Sequence, residues 1–390
     1  MFYILLWLFI IIFLLILLKL LKAKKNYIIC FFITLFIILF IVNIKLSLKA
    51  SLNGAKLWFK AILPTSFPFA VICNLLIFYD GITLYSKLLG PLICKPLNLS
   101  KNSSFPLTVS FLCGYPLGSK FSSDTYDLGY IDKNEYISLI NIATNCGPLF
   151  IIGTIGCAML NNISYGYLLL IGNYLSVIII GLFTRKKRTF SQNKEMGKIP
   201  ENTSKNNLGY ALKKSLEDGI NTALSIGGFI IIFSVLIEII KNSNTFSFII
   251  SKIESLLHLE PNLLYAIFLG SIEITNGCNM LSSSSLPISL KLSLISFLCS
   301  FSGLSIIAQS YSFMSKHNIS LLKYFLFKLF QGILSFFITF IFSNLLTIST
   351  SNIFNISSRL SFYVLLIPII LLILIFIISK LFSKLLLHIL

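Results

Sequence analysis

The sequence predicts an all-α membrane protein that crosses the bilayer many times. Its 390 residues have a mean hydropathy of +0.91, and 56% are hydrophobic while only 11% are charged. A soluble surface needs about a quarter of charged residues. The apolar residues fall in runs of about 17 to 25, which is long enough to cross a hydrocarbon core about 30 Å thick. Lipid rather than water must therefore solvate most of the surface.

The same composition disfavours several other classes of protein. The net charge of +18 comes from basic residues in loops beside helices, so we expect topology and anionic lipid, not nucleic acid, to explain it. The three histidines lie in no catalytic motif and no nucleotide-binding motif occurs, so we predict no enzyme, no catalytic residue and no cofactor. The eight cysteines lack paired CxxC spacing, which predicts neither a metal site nor a disulfide framework.

The order of the apolar runs divides the chain into five segments. Residues 1–48 should form two transmembrane helices, and the first is not a signal peptide because no basic residue precedes it and no small-residue cleavage site follows it. Residues 49–183 and 215–346 form two repeats, separated by a basic loop at 184–214. Residues 347–390 should contribute a C-terminal transmembrane helix.

The basic loop fixes the predicted orientation. It opens with Arg185-Lys186-Lys187-Arg188, so the positive-inside rule places it in the cytoplasm and, counting helices backwards, places the N-terminus outside. The lysines between Lys45 and Lys60 would then lie outside, against the rule. They alternate with apolar residues at helical spacing, which predicts an amphipathic helix in the membrane interface.

The two repeats share a pattern. Each contains a short apolar stretch broken by a glycine-rich polar cluster, near Gly114 in the first repeat and Gly277 in the second, at an offset of about 160 residues. Helices at corresponding positions run in opposite directions. The repeats would therefore be inverted across the membrane, a common plan of secondary transporters.

The first broken stretch, residues 105–120, is too short and too rich in glycine and proline for an ordinary span, so we predict a re-entrant helical hairpin. Its tip would expose backbone N–H groups and the positive end of a half helix, which suits an anion. The candidate substrate-binding residues here are Gly114, Tyr115, Pro116, Gly118, Ser119 and Lys120. The alternative is a surface loop among the lipid headgroups.

The second broken stretch, residues 263–286, predicts a partner hairpin. Glu273 is a carboxylate in a long uncharged stretch, where such a group is costly unless it is paired, protonated or in contact with water. It is a candidate to bind substrate or a coupling proton or cation, and the alternative is a structural carboxylate that caps a half helix. The neighbouring candidates are Thr275, Asn276, Gly277 and Asn279.

A helix interrupted by polar residues follows each hairpin. The first break is expected at Cys146-Gly147-Pro148-Leu149 and the second at Phe301-Ser302-Gly303-Leu304. The candidate substrate-binding residues are Asn145 and Gly147 in the first and Ser302 and Gly303 in the second. The alternative is interhelical hydrogen bonding with close packing of small residues. An acidic group from Asp124 to Glu135 is expected to be a solvated cytoplasmic loop, because it lacks metal-ligand spacing.

Four motifs together resemble one family. They are Leu112 to Lys120 (LCGYPLGSK), Leu128 to Ile131 (LGYI), Asn145 to Gly153 (NCGPLFIIG) and Glu273 to Gly277 (EITNG). This set resembles the sporulation integral membrane protein YlbJ (SpoVV) family. The resemblance implies an endospore-forming bacterium, a fold related to nucleoside-recognition gate domains and distantly to concentrative nucleoside transporters, and export of dipicolinic acid from the mother cell across the outer forespore membrane.

These observations favour a membrane transporter of a small anionic solute that works by alternating access around the two hairpins. A transporter of nucleosides or other small solutes, and a non-transporting scaffold for assembly of the spore cortex and envelope, remain alternatives. The expected partners are the solute and the lipid bilayer, and the sequence is compatible with a homo-oligomer and with a coupling cation or proton. The expected location is the cell membrane, and in sporulating cells the outer forespore membrane.

Overall fold

A computed structural model describes residues 25–185 and 207–350 of the chain. All regular secondary structure in this part is helical, which confirms the all-α class. The predicted helices at 2–18 and 363–379, and most of the basic loop, lie outside the described residues.

The α-helices are listed here in chain order. They are α1 (Lys25–Val42), α2 (Ile44–Leu57), α3 (Leu63–Phe78), α4 (Gly81–Leu88), α5 (Gly90–Ile93), α6 (Ser104–Cys113), α7 (Leu117–Asp127), α8 (Lys133–Ile142), α9 (Ile163–Phe183), α10 (Leu208–Lys241), α11 (Asn244–Leu256), α12 (Leu263–Ile272), α13 (Ile274–Ser282), α14 (Ile288–Phe301), α15 (Gly303–Met314) and α16 (Leu321–Thr350). Two π-helical segments, Trp58–Ile62 and Leu149–Met159, and two short 3-10 turns, Lys101–Ser103 and Ser315–His317, lie between them.

Four helical stretches among the described residues are long and apolar enough to span a membrane: Ile163–Phe183, Leu208–Lys241, Ile288–His317 and Leu321–Leu345. Two bent pairs raise the number to six if each pair counts as one span. Length and composition therefore support a multi-pass membrane protein.

The first bent pair contains the lysines between Lys45 and Lys60 in its second helix. The helix axis turns by 101° between Ile29–Val42 and Ile44–Lys60. In α2 the small residues Ser47, Ala50 and Gly54 are buried, while the lysines are exposed. A span followed by a two-faced helix at a right angle has the geometry expected of an interfacial helix.

The described chain divides into two compact units. One combines residues 25–58 with Ile230–Tyr265, and the other combines Phe59–Phe229 with the residues from Ala266 onward. In the smaller unit, Glu254 of α11 accepts hydrogen bonds from the backbone N–H groups of Asn262 (2.9 Å) and Tyr265 (3.2 Å), which fixes the turn before α12.

In the larger unit, one helix directs polar side chains inward and apolar side chains outward, the reverse of a soluble protein. Along α16 the residues that face inward, each no more than 2% exposed, are Lys328, Gln331, Ser335, Thr339 and Ser343. The outward face of the same helix carries exposed Leu322, Leu326, Phe330, Phe337 and Ile341. Such a helix would be unstable in water, and it is the arrangement that a lipid solvent favours.

Two boundaries differ from the expected ones, and one helix was not expected. The first hairpin does not end at residue 120, because α7 continues as a regular helix to Asp127. Helix α10 begins at Leu208, so the end of the predicted basic loop is helical: hydropathy marks where a span leaves the bilayer, not where the helix ends. Helix α11 was not predicted, because its 13 residues are too few for a span and combine polar with apolar side chains.

Candidate functional site

The first hairpin consists of α6 and α7, joined by a sharp break at Gly114. Gly114 has φ +81°, a region that favours glycine, and the Tyr115–Pro116 peptide bond that follows is cis. The backbone N–H of Tyr115 donates a hydrogen bond of 2.7 Å to the carbonyl of Asn145. The tip of the hairpin is therefore bonded to the interrupted helix, as a re-entrant hairpin requires.

Glycines allow the backbone of the hairpin tip to lie directly against the backbone of the interrupted helix. A Cβ at Gly114 would lie 2.6 Å from the backbone N of Gly147, and one at Gly118 would lie 2.1 Å from the carbonyl oxygen of Ala143. At Gly147 a Cβ would be 3.1 Å from the carbonyl oxygen of Cys113. The backbones of the tip and of the break thus touch with no room for side chains.

The break itself is a non-helical segment, residues 143–147, just before Pro148 and the π-helical segment Leu149–Met159. Asn145, 1% exposed, accepts from Tyr115 with its backbone carbonyl, and its side-chain Nδ2 donates to the carbonyl of Ile142 (2.6 Å) and to Ser110 Oγ (3.2 Å). The predicted site residues Gly114, Tyr115, Gly118, Asn145 and Gly147 are therefore brought together.

Lys120 and Ser119 lie one turn beyond the tip. Lys120 Nζ pairs with Asp124 (2.7 Å) and donates to Asn74 Oδ1 (3.1 Å), so its charge is already balanced by a carboxylate. Ser119 Oγ donates to the carbonyl of Pro116 at 2.6 Å. The pairing follows from the i, i+4 spacing of Lys120 and Asp124 on α7. A substrate contact by Lys120 stays a prediction.

A cavity of about 460 Å³ opens beside Lys120. Its charged and polar lining includes Asn74, Lys120, Asp124, Asp127, Lys214 and Asp218. Lys214 and Asp218 form a second ion pair, at 3.4 Å. The size suits a small solute, but of the predicted site residues Lys120 alone lines it.

The acidic group between Asp124 and Glu135 is not simply a solvated loop. Glu135 is 3% exposed and accepts from the backbone N of Ser100 (2.6 Å) and from Ser103 Oγ (2.7 Å). Asp132 caps α8 by accepting from the backbone N of Glu135. The expectation of solvation is wrong for Glu135, because this carboxylate anchors the segment that leads into the first hairpin.

The second hairpin consists of α12 and α13, and Glu273 lies at the break between them. Its carboxylate accepts from the backbone N–H groups of Thr275 and Asn276, both at 3.0 Å, and from Asn276 Nδ2 at 2.7 Å. This is the geometry of a helix N-cap. The positive end of α13 is therefore occupied by the protein's own carboxylate, and a substrate contact by Glu273 stays a prediction.

The second hairpin and the second break also meet through glycines. Ser302, which separates α14 from α15, and Gly303, the first residue of α15, both have positive φ, +76° and +72°. A Cβ at Gly303 would lie 3.2 Å from the carbonyl oxygen of Ile272, and one at Gly277 would lie 2.3 Å from the Cα of Gly270. Asn279, in contrast, is exposed and lies away from this contact.

The first hairpin with its break and the second hairpin with its break lie next to each other in the interior of the larger unit. The hydroxyl of Tyr115 lies near the thiols of Cys146, Cys278 and Cys299, which belong to the first break, α13 and α14. Asn173 Nδ2 of α9 donates to Ser300 Oγ at 2.8 Å, close to the second break. No group of three or more potential metal ligands is assembled among the described residues.

Lys328 and Gln331 of α16 are site residues that sequence reasoning missed. Lys328 Nζ donates to the carbonyl of Thr144 and to Gln331 Oε1, both at 2.6 Å, and Gln331 Nε2 donates to Asn145 Oδ1 at 3.2 Å. These bonds join the last described helix to the first break. The feature that identifies Lys328 is the one that identified Glu273, an ionisable residue inside an apolar span.

Buried helix breaks, glycine contacts and inward polar residues define a multi-pass α-helical membrane protein with a polar interior. Comparison with curated proteins finds the sporulation integral membrane protein YlbJ of Bacillus subtilis (strain 168), 26% identical over 300 residues, which cover 72% of this chain and 74% of that protein. This similarity confirms the resemblance to the YlbJ family. No protein-family model and no solved structure matches the chain.

Proposed function

We propose that the protein transports a small anionic solute across the membrane by alternating access. The observation that carries this proposal is the pair of non-helical breaks, at 143–147 and at Ser302, each buried against a broken hairpin. Irregular backbone at membrane depth is tolerated only inside protein or along a water-filled path, and broken helices in corresponding positions of two halves are typical of transporter binding sites.

The two halves support a common mechanism. In each half a hairpin break contacts a helix break through backbone rather than through side chains, at Gly114 with Gly147 and at Ile272 with Gly303. Contacts between backbones can separate or close as units, and in the first half one side-chain hydrogen bond, from Asn145 Nδ2 to Ser110 Oγ, would have to break. We propose that the halves are inverted repeats, as in transporters distantly related to the concentrative nucleoside family.

The proposed solute is dipicolinic acid, and the proposed location is the outer forespore membrane of a sporulating mother cell. The support for both is the similarity to a sporulation integral membrane protein and the motifs that carry the resemblance. A planar dianion is small enough to pass between two hairpins. It would also find a buried hydrogen-bond donor beside the first break, since the hydroxyl of Tyr115 lies next to the thiol of Cys146 but makes no hydrogen bond of good geometry among the described residues.

The test is flux into liposomes that contain the purified protein and trapped terbium(III), whose luminescence rises when dipicolinate chelates it. We expect luminescence to rise faster than in protein-free liposomes, and nucleosides added outside should not slow it. Competition by nucleosides would favour the alternative substrate class. Absence of flux under every proton and cation gradient would contradict the proposal.

A matched series of glycine substitutions separates a carrier from a scaffold. At Gly228 a Cβ would meet nothing within 4 Å, whereas at Gly147 it would meet Cys113 O at 3.1 Å and at Gly114 Gly147 N at 2.6 Å. For a carrier, flux should fall in the order Gly228→Ala, Gly147→Ala, Gly114→Ala, with the first equal to wild type. For a scaffold, variants that insert and remain monodisperse should not differ.

A further inference from the structure

Lys328 is a buried amine without a carboxylate partner among the described residues. It is 0% exposed, lies in the apolar span Leu321–Leu345, and donates to two neutral acceptors, Thr144 O and Gln331 Oε1. An ammonium has three donors, so one remains beyond these two bonds. A charge at this depth is costly unless an anion compensates it.

The helix break supplies the environment of this amine. Helix α8 ends at Ile142, which releases the carbonyl of Thr144 from helical bonding so that it accepts from Lys328. Gln331, one turn along α16, is held by Asn145 Oδ1. The lysine is thus positioned at the unwound backbone whose other side contacts the hairpin tip, and any movement of the tip would bear on it.

Two buried hydroxyl groups beside Lys328 lie close to each other but make no hydrogen bond of good geometry in the described part of the chain. They are Tyr324 Oη, in a residue 2% exposed, and Ser310 Oγ, in a residue 0% exposed. Tyr324 precedes Lys328 by four residues, so the two share a face of α16, and its side chain neighbours Thr144 and Ser310. Buried hydroxyls without partners are rare, and they indicate an absent ligand or water.

We propose that Lys328, Tyr324 and Ser310 form the subsite for one carboxylate of the transported solute. This proposal rests on the function proposed above and names the residues that would recognise the anion. A carboxylate accepts about four hydrogen bonds, so it can take the remaining donor of the ammonium and both hydroxyls, and its charge balances that of the lysine. The subsite is closed in this structure, since all three residues are buried, and it opens when the hairpin tip separates from residues 143–147.

The experiment compares two solutes in liposomes by mass spectrometry, dipicolinate and the neutral diamide of the same ring. In Lys328→Met, kcat/KM for dipicolinate should fall at least about tenfold, because one partner of a buried charge pair is lost. Lys328→Arg, which retains the charge, should recover part of the loss, and the ratio of dipicolinate to diamide transport should fall in Lys328→Met. Lys323→Met is the matched control, since Lys323 is exposed on the same helix, and it should transport like wild type.

Tyr324→Phe is a second variant of the same subsite, chosen because it should still fold if Lys328→Met does not. It removes an oxygen that makes no hydrogen bond of good geometry, so the variant should fold about as well as wild type, yet KM for dipicolinate should rise several-fold. Unchanged KM in both Tyr324→Phe and a monodisperse Lys328→Met would overturn the subsite while leaving transport intact. If wild type moves no dipicolinate, the proposed function fails instead. The subsite is then judged by dipicolinate-induced thermal stabilisation in detergent, which wild type should show and Lys328→Met should lose.

Discussion

Two ionisable residues within apolar stretches, Glu273 and Lys328, are satisfied in different ways. Glu273 is satisfied locally, by three N–H groups of the first turn of α13. Lys328 donates to one acceptor on its own helix, Gln331, and to one 184 residues away in the chain, the carbonyl of Thr144. The local arrangement complements a helix end, whereas the long-range one leaves a positive charge without a described anion.

The capping role of Glu273 leads to a stability prediction. Glu273→Ala should destabilise the protein by about 1–2 kcal/mol, because it exposes the N–H groups of α13, and Glu273→Gln, which keeps one acceptor oxygen, should cost less. Thermal unfolding in detergent measures both. Glu217→Ala, at an exposed position on α10, is the control and should stay within about 0.5 kcal/mol of wild type. A loss for Glu273→Gln as large as that for Glu273→Ala would argue against a simple cap.

Sequence reasoning identified Glu273 but not Lys328, although the two carry the same chemical signal. Glu273 stands in an uncharged stretch, so its cost was evident. Lys328 follows Lys323 by five residues, and a lysine near a helix end serves equally well as a marker of topology. Only the helical register, which places Lys328 on the inward face with Gln331 and Ser335, separates the two cases.

At the scale of elements, both hairpins were predicted from glycine and proline inside short apolar stretches. The predicted second break, at 301–304, includes the observed one at 302, while the first is observed at 143–147, and it begins three residues before its expected start. The shift arises because Ala143 and Thr144 leave the helix to meet Gly118 and Lys328, contacts that lie far away in sequence. Local pattern predicts that a break exists, and tertiary contacts decide where it begins.

The close contact within the second hairpin makes Gly277 sensitive. A Cβ there would lie 2.3 Å from Gly270 Cα, so Gly277→Ala must push α12 and α13 apart, and we expect a loss of about 1–3 kcal/mol. Gly153→Ala is the matched control, because its nearest neighbour would be Leu149 Cδ1 at 3.9 Å. Unfolding of both variants in detergent measures the difference. Equal stability would mean that the two half helices are not packed as closely as described.

At the scale of the whole molecule, the sequence predicted the membrane class because hydropathy sums over the entire chain. It did not predict the two compact units, since residues 25–58 meet Ile230–Tyr265 across nearly two hundred residues. The five-segment division follows the sequence repeat instead, and it stays a prediction. The inverted relation of the halves depends on which side each span begins, and topology can test that directly.

Helix α9 provides the clearest test of orientation. Its 21 residues span about 30 Å, so its two ends must emerge on opposite sides of the bilayer. Arg185 follows its C-terminal end and opens the basic run, which places that end and Asn207 in the cytoplasm and Ser164 outside.

In a background with the exposed Cys30 and Cys157 changed to serine, a membrane-impermeant maleimide should label Ser164→Cys in intact cells. Asn207→Cys should react only after the membrane is permeabilised. Labelling of both from one side would remove α9 as a span, and the reversed pattern would invert the molecule, leaving the lysines between Lys45 and Lys60 in the cytoplasm and the basic loop outside.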